Sequence, residues 1–183
     1  MRVITGSARG RKLTAPAGLD VRPTTDNVKE SVFSIIQFSI EGRRFLDAFA
    51  GSGQMGIEAL SRGAEAAVFL DHAGVPLNCV KKNLEAAGLA DRAQVLRTDT
   101  LAYLSSADGH FDIVYLDPPY GTGLLQKALQ LCPRMMNPGG IILCEHPAGE
   151  SLPDEVGDFL LKKNYKYGKI IVTVYSHKEV DGI

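Results

Sequence analysis

Asp117-Pro118-Pro119-Tyr120 follows an apolar run, Ile113-Val114-Tyr115-Leu116, that reads as a buried strand. The quartet suits the holding of a flat base that carries an exocyclic amine. The Asp117 carboxylate and the Pro118 carbonyl can both accept hydrogen bonds from one NH₂ group. Two prolines fix φ and remove two backbone donors, so the turn offers mostly acceptors. Tyr120 adds a ring face on which a base can stack. Pro-Pro also punctuates ordinary loops, so the quartet takes its meaning from what surrounds it.

A second constellation, Asp47-Ala48-Phe49-Ala50-Gly51-Ser52-Gly53-Gln54-Met55-Gly56, sits where a strand becomes a helix. Glycines there allow a tight turn and close approach of a ligand to the backbone. Asp71 closes the next strand, 20 residues after Gly51, where an acidic side chain can hold ribose hydroxyls. The Gly-x-Gly-x-x-Gly spacing alone would equally serve NAD, or simple helix–strand packing. Asp99 follows a third strand; its carboxylate can accept from an adenine amino group or cap a helix. These strand ends together describe an adenosine pocket beside an amine clamp. A dehydrogenase has no use for such a clamp; a methyl donor has.

The elements that must position these residues alternate. A helix is expected from Asp26, as its N-cap, with Val28, Ser31, Val32, Ile35 and Ile36 on one face. Strands are expected at 45–49, 67–71, 94–97, 113–116 and 141–145. Helices are expected at 57–62, 76–87 and 124–136, and a short one opened by Asp99. Segments 162–167 and 169–175 flank Gly168 too closely for a crossover and should pair as a hairpin. The expected fold is a doubly wound α/β domain over residues 23–183. Its sheet is mainly parallel and seven-stranded, with a C-terminal antiparallel hairpin. Residues 1–22 are expected to form a basic extended arm or short hairpin.

Bulk numbers agree with one domain: 183 residues, 45% hydrophobic, 22% charged. No apolar run has the roughly 18 residues of a membrane helix, and the first residues lack the apolar stretch of a secretory signal. Cys79, Cys132 and Cys144 are widely spaced, and the four histidines show no ligand spacing. Reduced cysteines, a cytoplasmic location and no metal are therefore expected. Net charge is −1, but residues 1–22 carry Arg2, Arg9, Arg11, Lys12 and Arg22 against Asp20 alone, leaving +4 there and −5 elsewhere. That asymmetry is what a basic arm on a neutral catalytic body looks like; a solvated leader would look the same.

With these residues assembled, the chain resembles class I S-adenosylmethionine-dependent amino-methyltransferases, and among them the bacterial 16S rRNA (guanine-N2) methyltransferase family. The likeness covers nearly the whole chain. It is carried by Ile4-Thr5-Gly6-Ser7-Ala8-Arg9-Gly10-Arg11-Lys12-Leu13, by Arg22-Pro23-Thr24-Thr25 and the helix after it, by Asp47 to Ala64, and by the Asp-Pro-Pro-aromatic turn. The turn alone is shared with adenine-N6 DNA methyltransferases. Departures are Asp71 where the family often has Glu, His72-Ala73 where it often has Lys-Asp, and Gln54-Met55 for Ala-Leu.

The resemblance implies S-adenosylmethionine as cofactor. Its contacts would come from Thr24, Asp47, Phe49, Ala50, Gly51, Gly53, Asp71, His72, Asp99 and Thr100. Asp117, Pro118 and Tyr120 would hold a flipped-out guanine, and Arg9, Arg11, Lys12 and Arg22 would contact RNA. The implied partner is small-subunit rRNA or an assembling subunit, with no membrane, and the protein is expected to be a monomer. Three other readings compete. A DNA adenine-N6 methyltransferase would usually need an added recognition domain, yet only 17 residues separate Asp99 from Asp117. A non-catalytic cofactor- or RNA-binding module would not need an intact Asp-Pro-Pro-Tyr. An NAD dehydrogenase would need a hydride-transfer group.

Overall fold

The computed structural model of the protein describes residues 1–16, 25–106 and 110–179. Its strands are β1 (Arg44–Asp47), β2 (Ala66–Asp71), β3 (Ala93–Arg97), β4 (Phe111–Leu116), β5 (Met136–Pro147), β6 (Glu155–Val156), β7 (Phe159–Tyr167) and β8 (Ile170–His177). They form one sheet in the order β3-β2-β1-β4-β5-β8-β7-β6. Pairings from β3 through β5 are parallel, and β8, β7 and β6 complete the sheet antiparallel. The strand order reverses between β1 and β4, which opens a crevice at the carboxyl edge between them.

Among the described residues the sheet has eight strands, against the seven expected. The additional one, β6, is two residues long and too short for any periodic signal. Sequence periodicity also misses the start of β5. The helix expected over 124–136 is shorter: α5 (Leu124–Leu131) gives way to a 3₁₀ turn at Cys132–Met135, and β5 begins at Met136, ahead of Asn137-Pro138-Gly139-Gly140. The strand passes through the glycines by a register shift against Phe111 and Ile113.

Helices cover both faces. On one, Val32, Phe33 and Ile36, from and just after α1 (Asp26–Ile35), pack with Ile57 and Leu60 of α2 (Gln54–Ser61) and Val80 and Leu84 of α3 (Gly74–Ala87) over Phe45, Ile113 and Tyr115. On the other, Leu104 of α4 (Thr100–Ser106) and Leu125, Ala128 and Leu129 of α5 cover Leu46, Val114 and Leu116. Strands buried on both faces explain the unbroken apolar runs. Each fully buried Phe or Leu contributes about 1.5–3 kcal/mol. The N-cap of α1 is Thr25, whose hydroxyl accepts from Val28 N, and not Asp26. Helix α2 begins at Gln54, three residues before the apolar pattern starts.

Residues 1–13 form a tight hairpin, with Arg2 opposite Lys12 and Val3 N donating to Arg11 O at 2.9 Å. It is docked on the body. Val3, Ala8 and Leu13 join the core, and Ile4 N and Thr5 N donate to the two oxygens of Glu58 on α2 at 2.8 and 3.0 Å. Ser61 Oγ donates to Thr5 O at 2.6 Å and accepts from Ala8 N at 3.0 Å. Gly6, at φ +89°, lies so close that a Cβ would come within 1.8 Å of Ser61 O.

Candidate active site

The crevice at the strand reversal is built by the ends of β1, β2 and β4. Asp47 is the last residue of β1 and lies opposite Tyr115 of β4. It is buried, and its carboxylate accepts from Gly56 N at 3.0 Å, which fixes the turn from β1 into α2. Burial pushes its pKa up to about 7, with the neighbouring charge of Asp71 acting in the same sense and the Gly56 N–H opposing it. The turn is closed by Gly53 N donating to Ala50 O at 2.6 Å and by Ala50 N donating to Leu70 O at 2.8 Å. Thr100 Oγ1 reaches across from α4 to Ala48 O at 2.6 Å. Phe49 is half-buried and packs against the second core cluster.

The three glycines of the turn have different reasons to be there. A Cβ on Gly56 would come within 2.3 Å of the Phe69 ring, and one on Gly53 within 3.0 Å of Val80. Gly56 is therefore required by packing of α2 on β2, and Gly53, at φ +75°, by the turn and by the approach of α3. Gly51 is at φ +52°, and a Cβ there would meet nothing within 4 Å. It presents bare backbone to the open crevice, the form a ligand cradle takes. Asp71 closes β2 beside it, accepting from Gly51 N at 3.2 Å and from Ala73 N at 2.9 Å. The His72 ring is exposed, with Nδ1 3.6 Å from that carboxylate. Asp99 is exposed on the same edge, and its Oδ1 accepts from Ala102 N at 2.8 Å, so it caps α4.

Asp117, Pro118, Pro119 and Tyr120 leave the end of β4 directly across the crevice. Asp117 is half-buried, Pro118 buried and Tyr120 exposed. Glu145 of β5, buried and unmarked by any motif, joins them. Tyr115 Oη donates to one of its oxygens in a short hydrogen bond, and Tyr120 Oη donates to the other at 3.4 Å. Burial, followed by the charges of Asp117 and Glu145, drives the Tyr115 pKa well up, so it stays a donor. The sequence signal for Glu145 is a charge that ends the apolar run Ile141–Cys144.

Lys29 is a second residue that the motifs do not mark. It is wholly buried on α1, and Nζ donates to Arg2 O at 2.6 Å and to Gln54 Oε1 at 3.3 Å. Burial lowers its pKa. Its spacing to Phe33 and Ile36 already places it on the buried stripe. Arg9, Arg11 and Lys12 are exposed on the hairpin, apart from the crevice residues in sequence and in contacts. Arg22 and Thr24 lie outside the described residues.

An open sheet reversing between β1 and β4, closed by antiparallel strands and carrying these strand ends, defines the class I methyltransferase fold. The family model described as Conserved hypothetical protein 95 matches residues 1–176. The Bacillus subtilis protein named "Putative rRNA methyltransferase YlbH" is 43% identical over 183 residues, covering 97% of this chain and 100% of that one. Ribosomal RNA small subunit methyltransferase D of Escherichia coli K12 is 32% identical over 180 residues, covering 97% of this chain and 90% of that one. A solved structure of "Putative methyltransferase yhhF" from Escherichia coli matches with a TM-score of 0.83 at 31% identity, over 97% of each chain. The chain belongs to this family of S-adenosylmethionine-dependent methyltransferases, whose relatives are named as rRNA methyltransferases.

Proposed function

We propose that the protein transfers a methyl group from S-adenosylmethionine to the exocyclic N2 amine of a guanine in small-subunit rRNA. The observation that carries this reading is the juxtaposition, across one crevice, of the bare backbone at Gly51 with Asp71 beside it and the Asp117-Pro118-Pro119-Tyr120 turn. The relative named small subunit methyltransferase D supports the choice of RNA. The charge pattern supports the donor. Asp71 and Asp117 stand half-buried at the two sides of the crevice, with Glu145 behind Tyr115 and Tyr120, which favours a cationic sulfonium over the pyrophosphate of a dinucleotide.

When bound, S-adenosylmethionine supplies an electrophilic methyl group on its sulfonium. The protein's own part is placement. Asp71 accepts from the ribose hydroxyls, Asp99 from the adenine amine, and the backbone at Ala50 and Gly51 lies along the methionine part. Phe49, Gly53, His72 and Thr100 complete that side; the family resemblance adds Thr24, which lies outside the described residues. Asp117 and the Pro118 carbonyl accept from the guanine N2 hydrogens, which aims the nitrogen lone pair at the methyl carbon and stabilises the positive charge that develops on nitrogen. Tyr120 stacks on the base. The methylated nitrogen is acidic enough to release its proton to water, so no strong general base is needed. Arg9, Arg11 and Lys12 on the hairpin contact RNA phosphates.

Substitution of Asp117 tests the assignment. Asp117→Ala is expected to lower kcat on rRNA by about 10²-fold or more, as loss of an oriented acceptor does, while calorimetry finds S-adenosylmethionine affinity unchanged. A variant with near wild-type kcat would remove Asp117 from the acceptor site.

A further inference from the structure

Strand β7 and the turn after it carry Lys162, Lys163, Lys166 and Lys169, all exposed, with no acidic residue between Phe159 and Lys169. On a chain of net charge −1 this is a strong local cluster of positive charge. Tyr165 and Tyr167, two apart and so on one face of β7, are half-buried and form one wall of a groove of about 590 Å³. The other wall is the polar side of α1, with Asn27, Ser31 and Ser34. Lys163 Nζ stands 4.8 Å from the centre of the Tyr165 ring, a cation–π contact that holds the charge in place. The α1 wall includes Glu30, so an anion would follow the β7 side.

The register fixes where the groove leads. Tyr167 pairs with Ile170, and Ile170 pairs with Pro147 at the carboxyl end of β5. Two residues earlier on β5 is Glu145, the partner of Tyr120. The end of β7 therefore lies at the same sheet edge as the acceptor turn.

We propose that this groove is an RNA-binding surface. It would take the sugar-phosphate backbone of the strand flanking the target nucleotide, with Lys163 beside Tyr165 and Lys169 in the turn after β7 on phosphates at the rim, and the tyrosine hydroxyls as added donors; Lys166, between the two tyrosines, faces the other side of the sheet. It is separate from the hairpin cations, and it rests on the rRNA reading above. Interleaved lysines and aromatics beside a polar wall match a single-stranded nucleic acid better than an apolar protein segment.

The experiment uses the full chain and protein-free small-subunit rRNA. Its readouts are binding as a function of salt, S-adenosylmethionine affinity, and methyl transfer. The double variant Lys163→Gln, Lys169→Gln is expected to weaken RNA binding about 10-fold or more. It should also flatten the slope of log affinity against log salt by about two units, one per lost phosphate contact. S-adenosylmethionine affinity should not change. Tyr167→Ala should weaken RNA binding with little change in slope; if it unfolds the strand, the lysine variant still carries the test. Unchanged RNA affinity and slope in the lysine variant would overturn the proposal. Failure of the wild type to methylate any rRNA would overturn the function itself and is read separately.

Discussion

Asp47 and Asp117 end neighbouring strands and are the same residue type, yet their surroundings give them different work. Asp47 is enclosed and bound to Gly56 N, and burial raises its pKa to about 7. A carboxyl whose folded pKa lies above its unfolded value of 3.8 stabilises the fold below about pH 4, and that contribution is lost as pH rises through 7. At about 1.4 kcal/mol per unit, the penalty at alkaline pH is of the order of several kcal/mol. Asp47→Asn keeps an acceptor for Gly56 N and cannot ionise. Urea denaturation from pH 5 to 8 should therefore show a flatter stability profile for this variant than for the wild type; superimposable profiles would contradict the assignment. Tyr120 is open to solvent, so its ring matters more than its hydroxyl. Tyr120→Phe should retain kcat/KM within about threefold, and Tyr120→Ala should lose about 1–3 kcal/mol of base stacking, measured as a rise in KM for RNA. The strand-end acids and the Asp-Pro-Pro-Tyr turn were legible because each follows a continuous apolar run. Glu145 was not, because its role depends on hydroxyls from Tyr115 and Tyr120, 30 and 25 residues away.

Helix α2 joins the Gly51 turn at its start to the docked hairpin at its end. Glu58, fully buried, accepts from Ile4 N, Thr5 N and Arg62 Nε at 2.8, 3.0 and 2.7 Å. Glu58→Ala strands two backbone donors and a partly buried guanidinium, and should cost about 3–5 kcal/mol in chemical denaturation. Gly6→Ala attacks the same junction sterically, through the clash with Ser61 O and the positive φ. It should release amide exchange protection at Ala8 and at Val3, whose bonds run to Ser61 and within the hairpin. Retained protection in both variants would mean the hairpin docks by its apolar residues alone. The alternating strands and helices were readable from periodicity. The docking was not, because its bonds link residues more than 50 apart through side chains of α2 that look like ordinary helix polar positions. The long β5 was obscured by Pro138-Gly139-Gly140, which locally resembles a stop and is instead accommodated by a register shift against β4.

At the scale of the molecule, the strand reversal brings the Gly51 turn and the Asp117-Pro118-Pro119-Tyr120 turn together, and the hairpin and the β7 lysines flank α1, the helix that precedes β1. The hairpin and α1 are tied by Lys29 and by an ion pair between Arg2 and Asp26 at 3.7 Å. The acidic crevice leads to a further expectation: calorimetry should detect S-adenosylmethionine binding and none for NAD, and binding of NAD alone would contradict the methyl-transfer account. The most direct test is to incubate the protein and S-adenosylmethionine with small-subunit rRNA, free and in particles, from a strain lacking this methyltransferase, and then to map the modified nucleotide. The account predicts N2-methylguanine at a single site, formed by the wild type and not by Asp117→Ala. Methylation of adenine N6, or no transfer to any small-subunit rRNA while S-adenosylmethionine binds, would contradict it.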